Sequence, residues 1–165
     1  MKTYKYIIKD ESNKVFDIIS YLIKKKLFKK KFNLSGIIND KEFILHLASE
    51  INYSSNIYYG PYVKLKLIFD RLNKKETKLT LYRINGLSYI IGFWGLIFCI
   101  IVSFLVFIYQ ITINDQNKMK YLIIALICIV WLLILETIAK VTFYILVKRI
   151  EKIIKLSGIE YKIIG

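Results

Sequence analysis

Few side chains in this chain of 165 residues have the type and spacing to do chemistry. The one histidine, His46, has no nucleophile beside it. The carboxylates Asp10, Asp17, Asp40, Glu42, Glu50, Asp70 and Glu76 are scattered over turns and surfaces of the first half. None pairs with another at the spacing that general acid–base work requires. There is no glycine-rich phosphate loop. The two cysteines, Cys99 and Cys128, lie in long apolar runs at depths that differ by roughly 10 Å, too far apart for a disulfide. One histidine and two such cysteines make no metal site. The residues therefore predict no enzyme, no cofactor and no metal.

One carboxylate is unusual. Glu136 stands at the end of an apolar run, and Lys140 follows one turn later on the same helical face. Such an i, i+4 pair can snorkel to a membrane interface, although acids inside a membrane are also candidates for ion handling. The basic residues Lys148, Arg149 and Lys152 follow, and with Glu136 and Lys140 they form the expected membrane-interface set. Ser88, Gly92 and Gly95 are the candidate helix-packing residues, because small side chains let two helices approach closely.

The elements that carry these residues follow from hydropathy. Ile84–Asn114 runs thirty-one residues without a charge, and Tyr121–Leu135 adds a second uncharged run after a polar tip. About 20 such residues span the hydrocarbon core as a helix. Two spans make a transmembrane hairpin, with Tyr89, Trp94 and Tyr109 as candidate interfacial anchors. Met1–Ile8 has no apolar core, so no signal peptide is expected. Residues 1–83 carry 18 basic and 8 acidic groups, residues 136–165 carry 6 and 3, and the tip carries two lysines and one aspartate. The positive-inside rule then sets both flanks in the cytoplasm and the tip outside, in the cell inner (plasma) membrane.

Net charge is +14, yet lysines outnumber arginines 23 to 3. Base readers lean on arginine, and the tyrosines Tyr53, Tyr58 and Tyr59 have no basic residues among them. Nucleic acid is not an expected partner. Lys24–Lys26 and Lys29–Lys31 are solvated or touch anionic headgroups.

Before the hairpin the periodicity changes. Lys2–Ile8 alternates as a strand, and Asp10 or Ser12 can cap a helix that carries Val15, Ile18, Ile19, Leu22 and Ile23 on one side. Phe32–Ile38, Glu42–Leu47, Tyr62–Phe69 and Thr77–Ile84 read as strands. A short strand around Ile51–Tyr53 and a turn at Gly60-Pro61 are further expectations. The fold class is α+β: a small N-terminal domain of strand, helix and antiparallel strands, a two-helix transmembrane hairpin, and a C-terminal amphipathic helix. The division is 1–84, 85–147 and a basic amphipathic tail, 148–165. Along Val141–Leu156, which runs into that tail, Phe143, Leu146, Ile150, Ile153 and Ile154 form an apolar side that either lies on lipid or packs on the N-terminal domain.

The pattern Leu34-x-Gly36-x-Ile38, Phe43-x-Leu45, Pro61-x-Val63 and Thr77-x-Leu79-x-Leu81-x-Arg83, ahead of two apolar helices, resembles a loose group of small, largely uncharacterised bacterial membrane proteins. The resemblance implies a β-rich cytoplasmic domain followed by two helices, and it implies no activity. The expected function is a non-catalytic membrane protein that anchors a binding or sensing domain, its partners being the bilayer and a protein or a second copy. The alternative is an oligomeric membrane-disrupting effector, or an immunity partner, in bacterial defence.

Overall fold

The computed structural model describes residues 3–24, 34–39, 42–47, 63–73, 75–113 and 118–164. The expected strand near Ile51–Tyr53, the Gly60-Pro61 turn and the lysines at 25–31 lie outside them.

The order is β1 (Thr3–Ile8), α1 (Ser12–Lys24), β2 (Leu34–Asn39), β3 (Glu42–Leu47), β4 (Val63–Asn73), β5 (Glu76–Asn85), α2 (Leu87–Thr112), α3 (Lys118–Leu156) and β6 (Tyr161–Ile163). The strands form one sheet in the order β2-β3-β4-β5-β1-β6, and each described pairing is antiparallel. An α+β fold with an antiparallel sheet followed by two long apolar helices is therefore what the chain adopts.

Alternation sets which side chains face inward. Tyr6 and Ile8 of β1, Phe43 and Leu45 of β3, Val63, Leu65 and Leu67 of β4, and Leu79 and Leu81 of β5 are all buried. Val15 and Ile19 of α1 cover part of this face. Asp10 sits just ahead of α1, accepting the Glu11 amide at 2.9 Å and pairing with Lys14 at 2.8 Å. The Lys14 ammonium holds its carboxyl below the ordinary range.

The rest of the cover comes from α3. Ala139, Phe143, Leu146, Val147, Ile150, Ile153 and Ile154 recur at helical spacing and are buried in the same cluster. The apolar side of 148–156 thus packs on the sheet, which decides between the two alternatives left by its pattern. No break falls near residue 148, because α3 is one helix of 39 residues, about 58 Å long. It ends where Gly158 takes φ of 72°, a left-handed conformation that glycine adopts without steric cost. The chain then returns as β6, pairing Tyr6 with Ile163 and Ile8 with Tyr161.

Gly86, in extended conformation, carries β5 into α2 with no intervening loop. Two helices are long and apolar enough to cross a membrane, Leu87–Thr112 and Met119–Leu156, each with a mean hydropathy of 2.8 in its most apolar stretch. Only 6% and 11% of those stretches are buried, unlike the core helices of a water-soluble fold.

Candidate functional site at the junction of sheet and hairpin

Arg83 continues the inward row of Thr77, Leu79 and Leu81 on β5. A cation on a core face needs an anion, since burial of an unpaired charge is costly. On α3, Glu136 continues the buried row of Ala139 and Phe143 by one turn toward the hairpin. Packing α3 on the sheet brings the two rows together, and their ends meet.

The guanidinium grips the carboxylate with both terminal nitrogens. Nη1 donates to Glu136 Oε1 at 3.0 Å and Nη2 to Oε2 at 2.9 Å, while Nε donates to Asn85 Oδ1 at 2.8 Å. Such forked pairs are strong and fix orientation as well as distance. The Tyr89 hydroxyl donates to Glu136 Oε2 at 2.5 Å, and the Tyr89 ring lies 5.2 Å from the Arg83 guanidinium carbon. Phe93 stacks on Tyr89 at 5.7 Å. Arg83 keeps 13% of its side-chain surface exposed and Glu136 30%. With both oxygens occupied, Glu136 is a structural anion that fastens β5, α2 and α3 to one another.

The sequence pattern pairs Glu136 with Lys140, and that contact exists at 3.8 Å, but Arg83 is the closer and better aligned partner. Tyr89 is buried against Glu136 and does not face outward as an anchor, whereas Trp94 and Tyr109 do. Gly92 sits where α2 meets α3: a Cβ there would lie 3.1 Å from Leu135 Cδ1. Gly95 points into open space, and Ser88 is half-buried. Of the two candidate packing glycines, Gly92 meets α3 and Gly95 does not.

A second clamp lies farther along α3. The buried Tyr6 donates its hydroxyl to Glu151 Oε1 at 2.9 Å, and Lys148 donates to Oε2 at 2.7 Å. Burial, reinforced by the carboxylate, pushes the Tyr6 phenol well above its ordinary value. Glu151 in turn raises Lys148. Each acid of α3 thus accepts a tyrosine hydroxyl from another element and pairs with a basic residue. Arg149 is partly exposed and Lys152 exposed.

His46 faces away from Phe43 and Leu45, half-buried, with Lys64 near it. Cys99 and Cys128 are free. Among the described residues no three of His, Cys, Asp and Glu come together as a metal site would require.

No family model, curated protein or solved structure matches this chain. What the chain shows is an architecture, a strand-rich N-terminal region followed by two long apolar helices. Neither Tyr6 nor Glu151 is singled out by the sequence patterns, which give Tyr89 as an interfacial anchor and Arg83 only as the end of a strand motif, and so leave both clamps unnamed. Two signals pointed toward them: a cation in phase with the inward residues of β5, and an acid isolated among apolar residues.

Proposed function

We propose that this chain is a non-catalytic, two-pass integral membrane protein that holds a small binding head at the cytoplasmic face of a cell membrane. The observation that carries the reading is the double use of α3. Its first half has the composition of a lipid-facing span, and its second half closes the core of the head. A head fastened in this way cannot swing on a tether. The charge of the flanks favours both termini inside, with the tip outside. A neutralised Arg83–Glu136 pair suits the edge of the hydrocarbon, where a lone acid would be costly.

With the span ending near Ile138, Lys140 lies at headgroup depth. Lys148 and Lys152 then stand about 15 and 21 Å beyond the boundary, because α3 rises ~1.5 Å per residue. Of the basic residues expected at the interface, this reading keeps Lys140 and moves Lys148, Arg149 and Lys152 into the cytoplasm. The partner is a protein or ligand that meets the head, or a second copy of the chain.

Three measurements test the proposal. Carbonate washing should leave the full chain in the membrane fraction, and a cysteine at position 117, in a chain lacking Cys99 and Cys128, should react with an impermeant maleimide from outside intact cells. Recovery in the supernatant would refute the span, and labelling only after lysis would refute the orientation. Induced expression monitored with a membrane-potential dye should leave the potential unchanged. Prompt depolarisation would replace the anchored head with the oligomeric effector.

A further inference from the structure

At the end of the head away from the hairpin, a cavity of about 720 Å³ lies between the start of α1 and the end of β4. That size suits a small-molecule site. Among the described residues, Ser12, Asn13, Phe16 and Asp17 of α1 and Phe69 and Arg71 of β4 line it. Alternation puts Phe69 and Arg71 on the face that α1 covers, since Arg71 pairs with the buried Thr77. The Thr77 hydroxyl donates to the Asp10 carbonyl oxygen at 2.8 Å, which holds the start of α1 beside these strands. Phe16 and Phe69 pack on the fully buried Phe43, with ring centres 4.6 and 5.2 Å from it, and form an apolar floor.

Two opposite charges line the same cavity, and neither is spent within the chain. Asp17 pairs with no cation among the described residues; the nearby Lys14 is taken by Asp10 at 2.8 Å. Arg71 donates only through Nε, to the Asn73 carbonyl at 3.4 Å, so its two terminal nitrogens keep their donors. No ion pair joins Asp17 to Arg71. Asp70 also reaches the rim, but its cross-strand neighbour on the far face of the sheet is Lys78. An anion, a cation and an apolar floor in one cavity match a molecule that carries both charges and an apolar group. Thr77 and Arg83 stand six residues apart on β5, about 20 Å, so the cavity is well clear of the hairpin and meets water-soluble ligands.

We propose that this cavity binds a small α-amino acid with an apolar side chain. Its carboxylate sits on the Arg71 guanidinium, its ammonium on Asp17, and its side chain on Phe16 and Phe69. The planar fork of arginine matches the two oxygens of a carboxylate. The inference rests on the reading of the head as a binding module and gives that module a ligand class.

The test titrates the full chain, held in phosphatidylcholine nanodiscs, with L-phenylalanine and L-leucine by isothermal titration calorimetry. Saturable binding is expected. Asp17→Asn and Arg71→Gln should each weaken it about tenfold, the loss of one charge-assisted contact. Hydrocinnamate, which lacks the ammonium of phenylalanine, should bind the parent about tenfold more weakly and be indifferent to Asp17→Asn. Phenethylamine, which lacks the carboxylate, should behave in the same way toward Arg71→Gln. Lys162→Gln, on the opposite face of the sheet, should leave binding unchanged. Equal affinity for phenylalanine and either one-charged analogue would overturn the zwitterion as ligand. No saturable heat with either amino acid at millimolar concentration, or variants that both bind as the parent does, would overturn the site. Asp17 and Arg71 are exposed, and circular dichroism confirms that each variant is folded before it is scored. Carbonate resistance of the same chain keeps the two readings apart. Its loss would refute the anchored head, whereas intact insertion without binding would refute the cavity alone.

Discussion

At the scale of single residues, Arg83 and Glu136 illustrate how a pair can matter more for geometry than for net energy. Two charges removed from water gain from each other roughly what they lose in hydration. Removing one partner is a different matter. Glu136→Gln should destabilise the fold by about 2 kcal/mol, less than for a fully buried pair because both side chains keep some exposure. The double variant Arg83→Met, Glu136→Leu should recover most of that loss, as denaturant titration in micelles would reveal; a double variant as weak as the single one would contradict the account. His46 makes a separate prediction. Burial, then Lys64, holds its imidazole below the ordinary 6.5. As pH falls, the unfolded chain takes up the proton first, so stability is full above 6.5 and declines as the solution is acidified toward the folded value. Thermal melts across this range should lose that slope in His46→Gln.

At the scale of elements, the contact between α2 and α3 is uneven. Gly92→Ile should overpack against Leu135 and cost roughly 1–3 kcal/mol, whereas Gly95→Ile, facing open space, should be tolerated within experimental error. Equal losses for the two would mean that the helices meet elsewhere. The elements themselves were largely legible from local pattern. Alternation marks β1, β3, β4 and β5, and the charge-free run marks α2, because neighbours in sequence report which side of a strand or helix is apolar. The hairpin between β4 and β5 is tighter than the charged stretch Arg71–Glu76 suggests, since Arg71 pairs with Thr77 and Asn73 with Glu76. Three features were illegible for a common reason. The Arg83–Glu136 contact spans 53 positions, Tyr6–Glu151 spans 145, and β6 is three residues long with its only described strand partner at the other end of the chain. No window of adjacent residues contains either half of such an interaction together with the other. The apolar side of residues 148–156 was visible, but what it covers was not.

At the scale of the whole molecule, head and hairpin share their largest helix. Phe143, Leu146, Val147, Ile150, Ile153 and Ile154 belong to the same buried cluster as the sheet's inward residues. Each buried aliphatic or aromatic side chain contributes about 1.5–3 kcal/mol, and a small domain has only about 5–15 in all. A fragment of residues 1–86 should therefore fail to fold alone, giving poorly dispersed amide resonances and rapid hydrogen exchange. A well-dispersed spectrum would show that the head is self-sufficient. The same arrangement fixes an order of events during synthesis. Strands β1–β5 leave the ribosome first, then α2, and the residues that seal the core emerge only with the later turns of α3, ahead of β6. At roughly 5–20 residues per second, the nascent sheet waits several seconds with its greasy face uncovered. This interval invites chaperone capture, and it ensures that the head matures only after residues 87–135 have been made.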